Sequence, residues 1–404
     1  MSLMPVAVVS SHGAARVRAG HPWVFRQDVT RGPDGDAGSG GPSIVEVRDG
    51  RGKKLGTATW AARAKLALRM LARADAPMPD SDDLVALVAR RLEVARARRG
   101  DISRNRDAYR VAHGESDGLP GLFVDRYAHA AVIQTTSVAM DAARDDIAEL
   151  VRASLGARVV VARDDGSTRD FEGLPRFAGV VSGEGATTVL YHLGPNELEA
   201  DLLTDGKTGG FLDQAANHAV VAALAPQGAR CLDAFTYHGG FALALARRGG
   251  AVLATDEDRD AAARAAANAR RNGLANLEVR ARNAFDLLRE LEVSRERFDV
   301  VVLDPPALAK RGAGSAAALS AAERAYKELI LRGARLTSPG GILVACSCSG
   351  RMSRARWDEL CADALGDAGR SAQVLARLGA GADHPELIGV PETGHLKVWI
   401  LRML

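Results

Sequence analysis

From about residue 200 the chain alternates short apolar runs with amphipathic stretches. "ARCLDAF" reads as a buried strand, "TYHGG" as a glycine turn, "FALALARRGG" as a helix closed by glycines, and "AVLATD" as the next strand. Strand, helix and parallel strand in that order make a βαβ unit, the start of a doubly wound sheet. The pattern continues: "RNAFDLL", "FDVVVLDPPAL" and "GGILVACSCS" each bring polar side chains to a strand end. The predicted class is α/β, with a parallel sheet in the C-terminal half.

The N-terminal third has a different rhythm. "SIVEVRDG" alternates apolar and polar positions, and residues 51–73 continue as short strands with tight Asp-Gly and Gly turns, so residues 1–75 are expected to form a small β-rich module. "VARRLEVARARRG" follows, with Leu84, Leu87, Val88, Leu92 and Val94 at helical spacing and arginines on the outer face. Residues 76–180 then read as a mixed α/β middle domain. "YRVAHGESDGLPGLFVDRYAHAAVIQT" suggests two strands around a Gly/Pro turn, "MDAARDDIAELVRASL" a helix and "ARVVVARD" a strand. "VLYHLGPNELEADLL" predicts an antiparallel hairpin leading into the parallel sheet, so the third region spans 181–404.

Composition narrows the class. A chain of 404 residues that is 47% hydrophobic and 25% charged can bury a sizeable core and is not disordered. It has no apolar run long enough to span a membrane, and its N-terminus does not pattern as a secretory signal, which points to the cytoplasm and to no membrane partner. Four cysteines are too sparse for a disulfide framework, and their spacing builds no metal site. The net charge of +3 is small, so binding of a polyanion must come from local clustering. Arg51, Lys53, Lys54, Arg63, Lys65, Arg69 and Arg73 form such a cluster, with no acidic residue between 51 and 73. The competing reading is a solvated charged face.

Candidate chemistry gathers at the strand ends. Gly239 and Gly240 let the backbone approach a ligand, and Asp256 ends the second strand where a carboxylate accepts from ribose hydroxyls. The turn is not G-x-G-x-x-G. Asp233 precedes the glycines instead, which suits a ligand with an amino group beside a carboxylate, as in S-adenosylmethionine, and Phe235 and Tyr237 belong to the same turn. Asn283, at a third strand end, could meet the adenine amine. Asp304-Pro305-Pro306 puts a carboxylate on stiff backbone at a fourth, followed by Ala307 where methyltransferases acting on exocyclic amines carry an aromatic residue. Cys346 and Cys348, two apart in a strand, share a face. Cys346 reads as a small buried hydrophobe and Cys348, nearer the loop, as a nucleophile beside Asp304. Cytosine C5 is a poor nucleophile, and a thiolate added to C6 makes it enamine-like.

These stretches resemble a known family. "GKTGGFLDQ", "TYHGGFALA", "DPPAL", "RAYKEL", "SCSG", "DHP" and "HLKVWILR" are similar to motifs of the large-subunit ribosomal RNA cytosine-C5 methyltransferases that carry an N-terminal PUA domain. "AGHPWVF" and "ESDGLPGLFVDRY" extend the resemblance over nearly the whole chain. It implies a Rossmann-like class I methyltransferase domain behind a PUA-like domain, with S-adenosylmethionine as cofactor and S-adenosylhomocysteine as by-product. It implies large-subunit ribosomal RNA, naked or in the particle, as partner, and leaves a homodimer open. Cys348 corresponds to the family's nucleophile and Asp304 to its acid, while Asp233, Gly239, Gly240 and Asp256 fall in the donor site. Asn283 stands where many members have Asp. Ala307 stands where other cytosine-C5 RNA methyltransferases have a second cysteine that assists product release. Lys53, Lys54, Arg63 and Lys65 are the expected phosphate contacts. Tyr326 and Lys327 are expected to touch the RNA backbone or order the loop after Ala307, with a surface helix pair as the alternative. The rival functions are a methyltransferase of a small molecule or protein, and a catalytically idle RNA-binding protein.

Overall fold

The computed structural model describes residues 4–76, 83–308 and 316–404. They form two compact units, one of Met1–Tyr191, Ala200–Gly210 and Asp383–Thr393, the other of His192–Glu199, Phe211–Ala382 and Gly394–Leu404.

In the first unit, strands Val6–Val9, Trp23–Phe25, Val29–Arg31, Ile44–Asp49, Lys54–Trp60 and Leu66–Arg73 make one sheet. Its inward positions, among them Val9, Val45, Val47, Trp60 and Leu68, close a core of their own. A second sheet runs in the order Phe177–Gly183, Val159–Asp164, Ala130–Thr135, Leu122–Tyr127, Ala108–His113. Its apolar face shares a core with helices Leu84–Arg98 and Arg144–Leu155.

Two details depart from the sequence reading. The segment 108–135 holds three strands rather than two, because the chain reverses at Ala128, whose φ is 48°. An alanine in the left-handed region lacks the Gly or Asn that usually marks such a turn. In helix Leu84–Arg98 the buried positions are Leu84, Leu87, Val88, Leu92 and Ala95, whereas Val94 is 51% exposed. Ala95 continues the three- and four-residue spacing that Val94 breaks. The expected hairpin is present as strands Thr188–Leu193 and Asn196–Asp201, which pair as a two-stranded sheet.

The second unit carries the sheet that positions the site. Its strands are β1 (Cys231–Ala234), β2 (Val252–Asp256), β3 (Leu277–Ala281), β4 (Phe298–Leu303), β5 (Thr337–Ser347), β6 (Ala372–Leu378) and β7 (Lys397–Met403), in the order β3-β2-β1-β4-β5-β7-β6. Strands β1 to β5 are parallel, and β7 runs antiparallel to both β5 and β6. The helices are α1 (Ala215–Leu224), α2 (Gly240–Ala246), α3 (Arg259–Arg271), α4 (Ala284–Val293), α5 (Ala316–Leu336) and α6 (Arg354–Asp367). Both sheet faces are covered, one by a core with Leu232, Leu303, Ala345 and Trp399, the other by a core with Cys231, Val302, Val344 and Cys346. That is why residues 300–303 of β4 and 342–346 of β5 read as unbroken apolar runs.

Chain order turns back between β1 and β4, and such a switch opens a crevice at the carboxyl ends of the strands. The register pairs Asp233 with Val302, and Leu303 with Ala345. One step beyond the last pair, Asp304 is level with Cys346. Among the described residues no helix is long and apolar enough to cross a membrane.

Candidate active site

The β1–α2 turn is conformationally unusual. Phe235, Tyr237 and Gly239 all have positive φ, 72°, 49° and 93°. Left-handed backbone at non-glycine residues is costly and concentrates at ligand sites. Asp233 lies under this turn, 1% exposed. Its Oδ2 accepts from Thr236 Oγ1 at 2.7 Å and from the Ala242 amide at 3.0 Å. Its Oδ1 is buried and has no hydrogen-bond partner among the described residues. Burial raises the Asp233 carboxyl to about 7, with nearby Asp304 and Asp256 adding to the rise and the bond from Thr236 opposing it. A buried acceptor oxygen on an uncompensated carboxylate fits a ligand ammonium, which would satisfy the atom and hold the charge. The methionine end of S-adenosylmethionine supplies that group.

At the end of β2, Asp256 accepts from the Tyr237 amide at 2.8 Å and the Asp258 amide at 3.1 Å. These bonds orient a carboxylate that burial pushes upward, and each oxygen keeps a second lone pair for a ribose hydroxyl. Phe211 and Tyr237 meet edge to face at 4.8 Å beside this turn.

Two donor-site residues carry a further structural constraint. Gly240 must be small for packing, since a Cβ there would lie 2.3 Å from the His218 ring of α1. Asn283 is the N-cap of α4: its Oδ1 accepts from the Phe285 and Asp286 amides, and its Nδ2 donates to Glu257 Oε2 at 2.8 Å. The carbonyl expected to receive the adenine amine is therefore occupied by its own helix.

The other side of the crevice holds the candidate reacting groups. Cys346 and Cys348 belong to the same packed face, as strand alternation requires, but differ in access. Cys346 is 1% exposed, and burial lifts its thiol well above the ordinary range, with the Asp304 carboxylate adding to the rise. Cys348, one residue beyond β5, is only partly buried. Asp304 Oδ2 accepts from Gln214 Nε2 at 3.0 Å. The motif "GKTGGFLDQ" contains Gln214 but assigns no chemical role to it or to its partner Asn217. Their signal is two polar residues three apart at the start of a helix that is apolar beyond His218.

Tyr326 and Lys327 do not fit the RNA-contact expectation. Tyr326 is 1% exposed in the core beside Trp357, and burial pushes its hydroxyl up to about 12. The Leu308 amide donates to that hydroxyl at 3.4 Å, so Tyr326 anchors the start of the segment after Ala307. Lys327 pairs with Asp367 of α6 at 2.8 Å, the surface helix pair. In the β-rich module, Arg51, Lys53, Arg63 and Lys65 are exposed. Lys54 is bound to Glu46 at 3.0 Å, and Arg69 bridges Glu115 and Glu172, each at 2.8 Å, with 12% of its side chain exposed. The free positive cluster is thus smaller than the sequence count.

Comparison with known proteins bears on the family and the fold. Residues 8–73 match the PUA-like domain family, and residues 226–374 match a methyltransferase domain family. Ribosomal RNA large subunit methyltransferase I of Aeromonas hydrophila is 35% identical over 394 residues, covering 95% of each chain. The protein of that name from Aeromonas salmonicida is 34% identical over 389 residues, again covering 95% of each. Among solved structures, a Streptococcus mutans protein assigned as a SAM-dependent methyltransferase superposes with a TM-score of 0.78 at 18% identity, covering 99% of this chain and 100% of its own, a likeness of fold. With a PUA-like β-rich domain ahead of a class I methyltransferase sheet, and relatives matched from end to end at this identity, the chain belongs to the ribosomal RNA large subunit methyltransferase I family.

Proposed function

We propose that this chain methylates C5 of a cytosine in large-subunit ribosomal RNA through a covalent bond between Cys348 and C6 of the base. The observation that carries the reading is a partly open thiol on the same strand-edge face as a positioned carboxylate, Asp304, beside a second thiol that is sealed. The relatives' name supports ribosomal RNA as the substrate class.

Bound S-adenosylmethionine supplies the methyl group from its sulfonium and leaves as S-adenosylhomocysteine. Asp233 receives its amino group and Asp256 its ribose hydroxyls, while Phe235, Tyr237 and Gly239 shape the turn above them. A paired cytosine hides C6, so the base must swing out of its stack. The Cys348 thiolate adds to C6, electron density moves to C5, and Asp304 meets N3 as charge accumulates there. C5 takes the methyl group. Loss of the C5 proton to a base then re-forms the C5–C6 double bond and expels the thiolate. Ala307 offers no second thiol at this step, which leaves the proton to another base or to water.

Transfer of a labelled methyl group to large-subunit RNA, assembled large subunits, free nucleosides and protein, followed by nucleoside chromatography, tests the reading. Label in 5-methylcytosine of the RNA or the particle is expected. Label confined to another nucleoside, a free nucleoside or protein would overturn it.

A further inference from the structure

The proposed reaction leaves one task without a residue, removal of the proton from C5 once the methyl group has arrived. His395 and Asp213 stand at the same edge of the sheet. The antiparallel register of β5 and β7 pairs Cys346 with Val398 and Ser347 with Lys397, and two further steps bring His395 level with Ser349. Lys397 Nζ donates to Ser349 O at 2.6 Å and to His395 O at 2.9 Å, so one ammonium ties His395 to the residue after Cys348. The His395 ring meets Asp213 Oδ2 through Nε2 at 3.2 Å. Asp213 is 2% exposed, its carbonyl accepts from the Gly381 amide at 3.0 Å, and its neighbour Gln214 donates to Asp304. His395 is thus linked to both proposed reacting groups, through Lys397 to the loop of the nucleophile and through Asp213 and Gln214 to the acid. Its side chain keeps 27% of its surface, against 3% for Asp213. A carboxylate oxygen only accepts, so the neutral ring carries its proton on Nε2 and keeps a lone pair on Nδ1. The ring makes no other hydrogen bond among the described residues.

We propose that His395 is the base that takes the C5 proton, with Asp213 as the residue that positions its ring. When C5 carries both hydrogen and methyl, the Nδ1 lone pair takes the hydrogen as a proton. The C5–H bonding pair becomes the second bond between C5 and C6, and the C6–S pair leaves with the Cys348 thiolate. The Asp213 carboxylate stabilises the imidazolium so formed, which then gives its proton to water. This inference rests on the reading of the reaction as cytosine-C5 methylation through a Cys348 adduct.

RNA with tritium at cytidine C5, used with S-adenosylmethionine carrying a radiocarbon methyl group, follows the two halves of the reaction separately. In a single turnover, His395→Ala should transfer methyl within about threefold of the wild-type rate but release tritium to water about 100-fold more slowly. A methylated protein–RNA complex that survives a denaturing gel should therefore accumulate on ordinary cytidine RNA. Added imidazole should restore tritium release and clear the complex. Asp213→Asn should slow the same step by about tenfold, and His395→Gln carries the test should His395→Ala not fold. Tritium release within about threefold of wild type in a folded His395 variant overturns the proposal. So does a parallel loss of methyl transfer and tritium release with no methylated complex, the outcome of a purely structural role. Failure of the wild type to trap on 5-fluorocytidine RNA or to make 5-methylcytosine sinks the cytosine reading itself, whereas a trapping wild type with unaffected variants sinks only the assignment of the base.

Discussion

At the scale of single residues, two cysteines two positions apart have been separated by burial. Cys346 is sealed in the core with its thiol pushed upward, and Cys348 is not. On the proposed mechanism, Cys348→Ala should abolish both methyl transfer and the adduct with 5-fluorocytidine RNA, because its thiolate is the group proposed to add to C6. Cys346→Ala should still form the adduct and lose about 1 kcal/mol of stability for a small buried side chain; gel analysis of the adduct and chemical denaturation check the two. An adduct lost in Cys346→Ala and kept in Cys348→Ala would reverse the assignment. Asp233 gives a pH prediction. Burial holds its carboxyl at about 7 in the fold, against about 3.9 in an unfolded chain. A carboxyl raised in the fold binds its proton more tightly there, so stability falls as pH rises from about 4 to 7 and the full penalty remains above 7. In the absence of donor, Asp233→Asn should therefore gain melting temperature relative to wild type at pH 8 but not at pH 4, while binding S-adenosylmethionine far more weakly. Calorimetric scans and titrations at both pH values test this.

At the scale of elements, α1 and α2 touch through a gap that only glycine fits. A Cβ at residue 240 would meet the His218 ring at 2.3 and 2.7 Å, and that ring already packs edge to face on Phe241 at 4.4 Å. Gly240→Ala must displace the His218 ring or α1, the helix that carries it and whose head holds Gln214 and Asn217. It should cost about 1–3 kcal/mol of stability, as overpacking does, and lower kcat more than it weakens donor binding. Denaturant titration with steady-state kinetics measures both, and a variant as stable as wild type would show that the helices adjust freely. Strand and helix boundaries followed hydrophobic rhythm closely in this region, since β4 and β5 are covered on both faces. The Ala128 turn and the shift from Val94 to Ala95 went unread, because one depends on backbone conformation at a residue without a turn signature and the other on which neighbour covers a half-apolar helix.

At the scale of the whole chain, charge counted along the sequence overstates the surface available to RNA. Arg69 and Lys54 are held by Glu115, Glu172 and Glu46, acids from elsewhere in the chain. Deleting residues 1–75 would therefore do more than remove phosphate contacts: it would strand Glu115 and Glu172, whose side chains are 7% and 3% exposed, without their arginine. Replacing exposed Arg51, Lys53, Arg63 and Lys65 by alanine is the cleaner change. It should flatten the log–log dependence of RNA affinity on salt by roughly 0.7 per lost contact on single-stranded RNA, and leave donor affinity unaltered. An unchanged slope in binding titrations across salt concentrations would mark these residues as a solvated face.

The sequence by itself determined the parallel sheet, the strand ends at Asp233, Asp256 and Asp304, and the shared face of Cys346 and Cys348. Each follows from local periodicity and from the rule that α/β ligands gather at carboxyl strand ends. Only the tertiary structure decided what lies across the crevice. It took the Asn283 carbonyl into a helix cap, buried Tyr326, paired Lys327 with Asp367, and brought Gln214 to Asp304, a residue 90 positions away. Contacts at such separation, and the choice between a helix cap and a ligand for one amide, depend on how elements pack, and neither composition nor spacing along the chain carries that information.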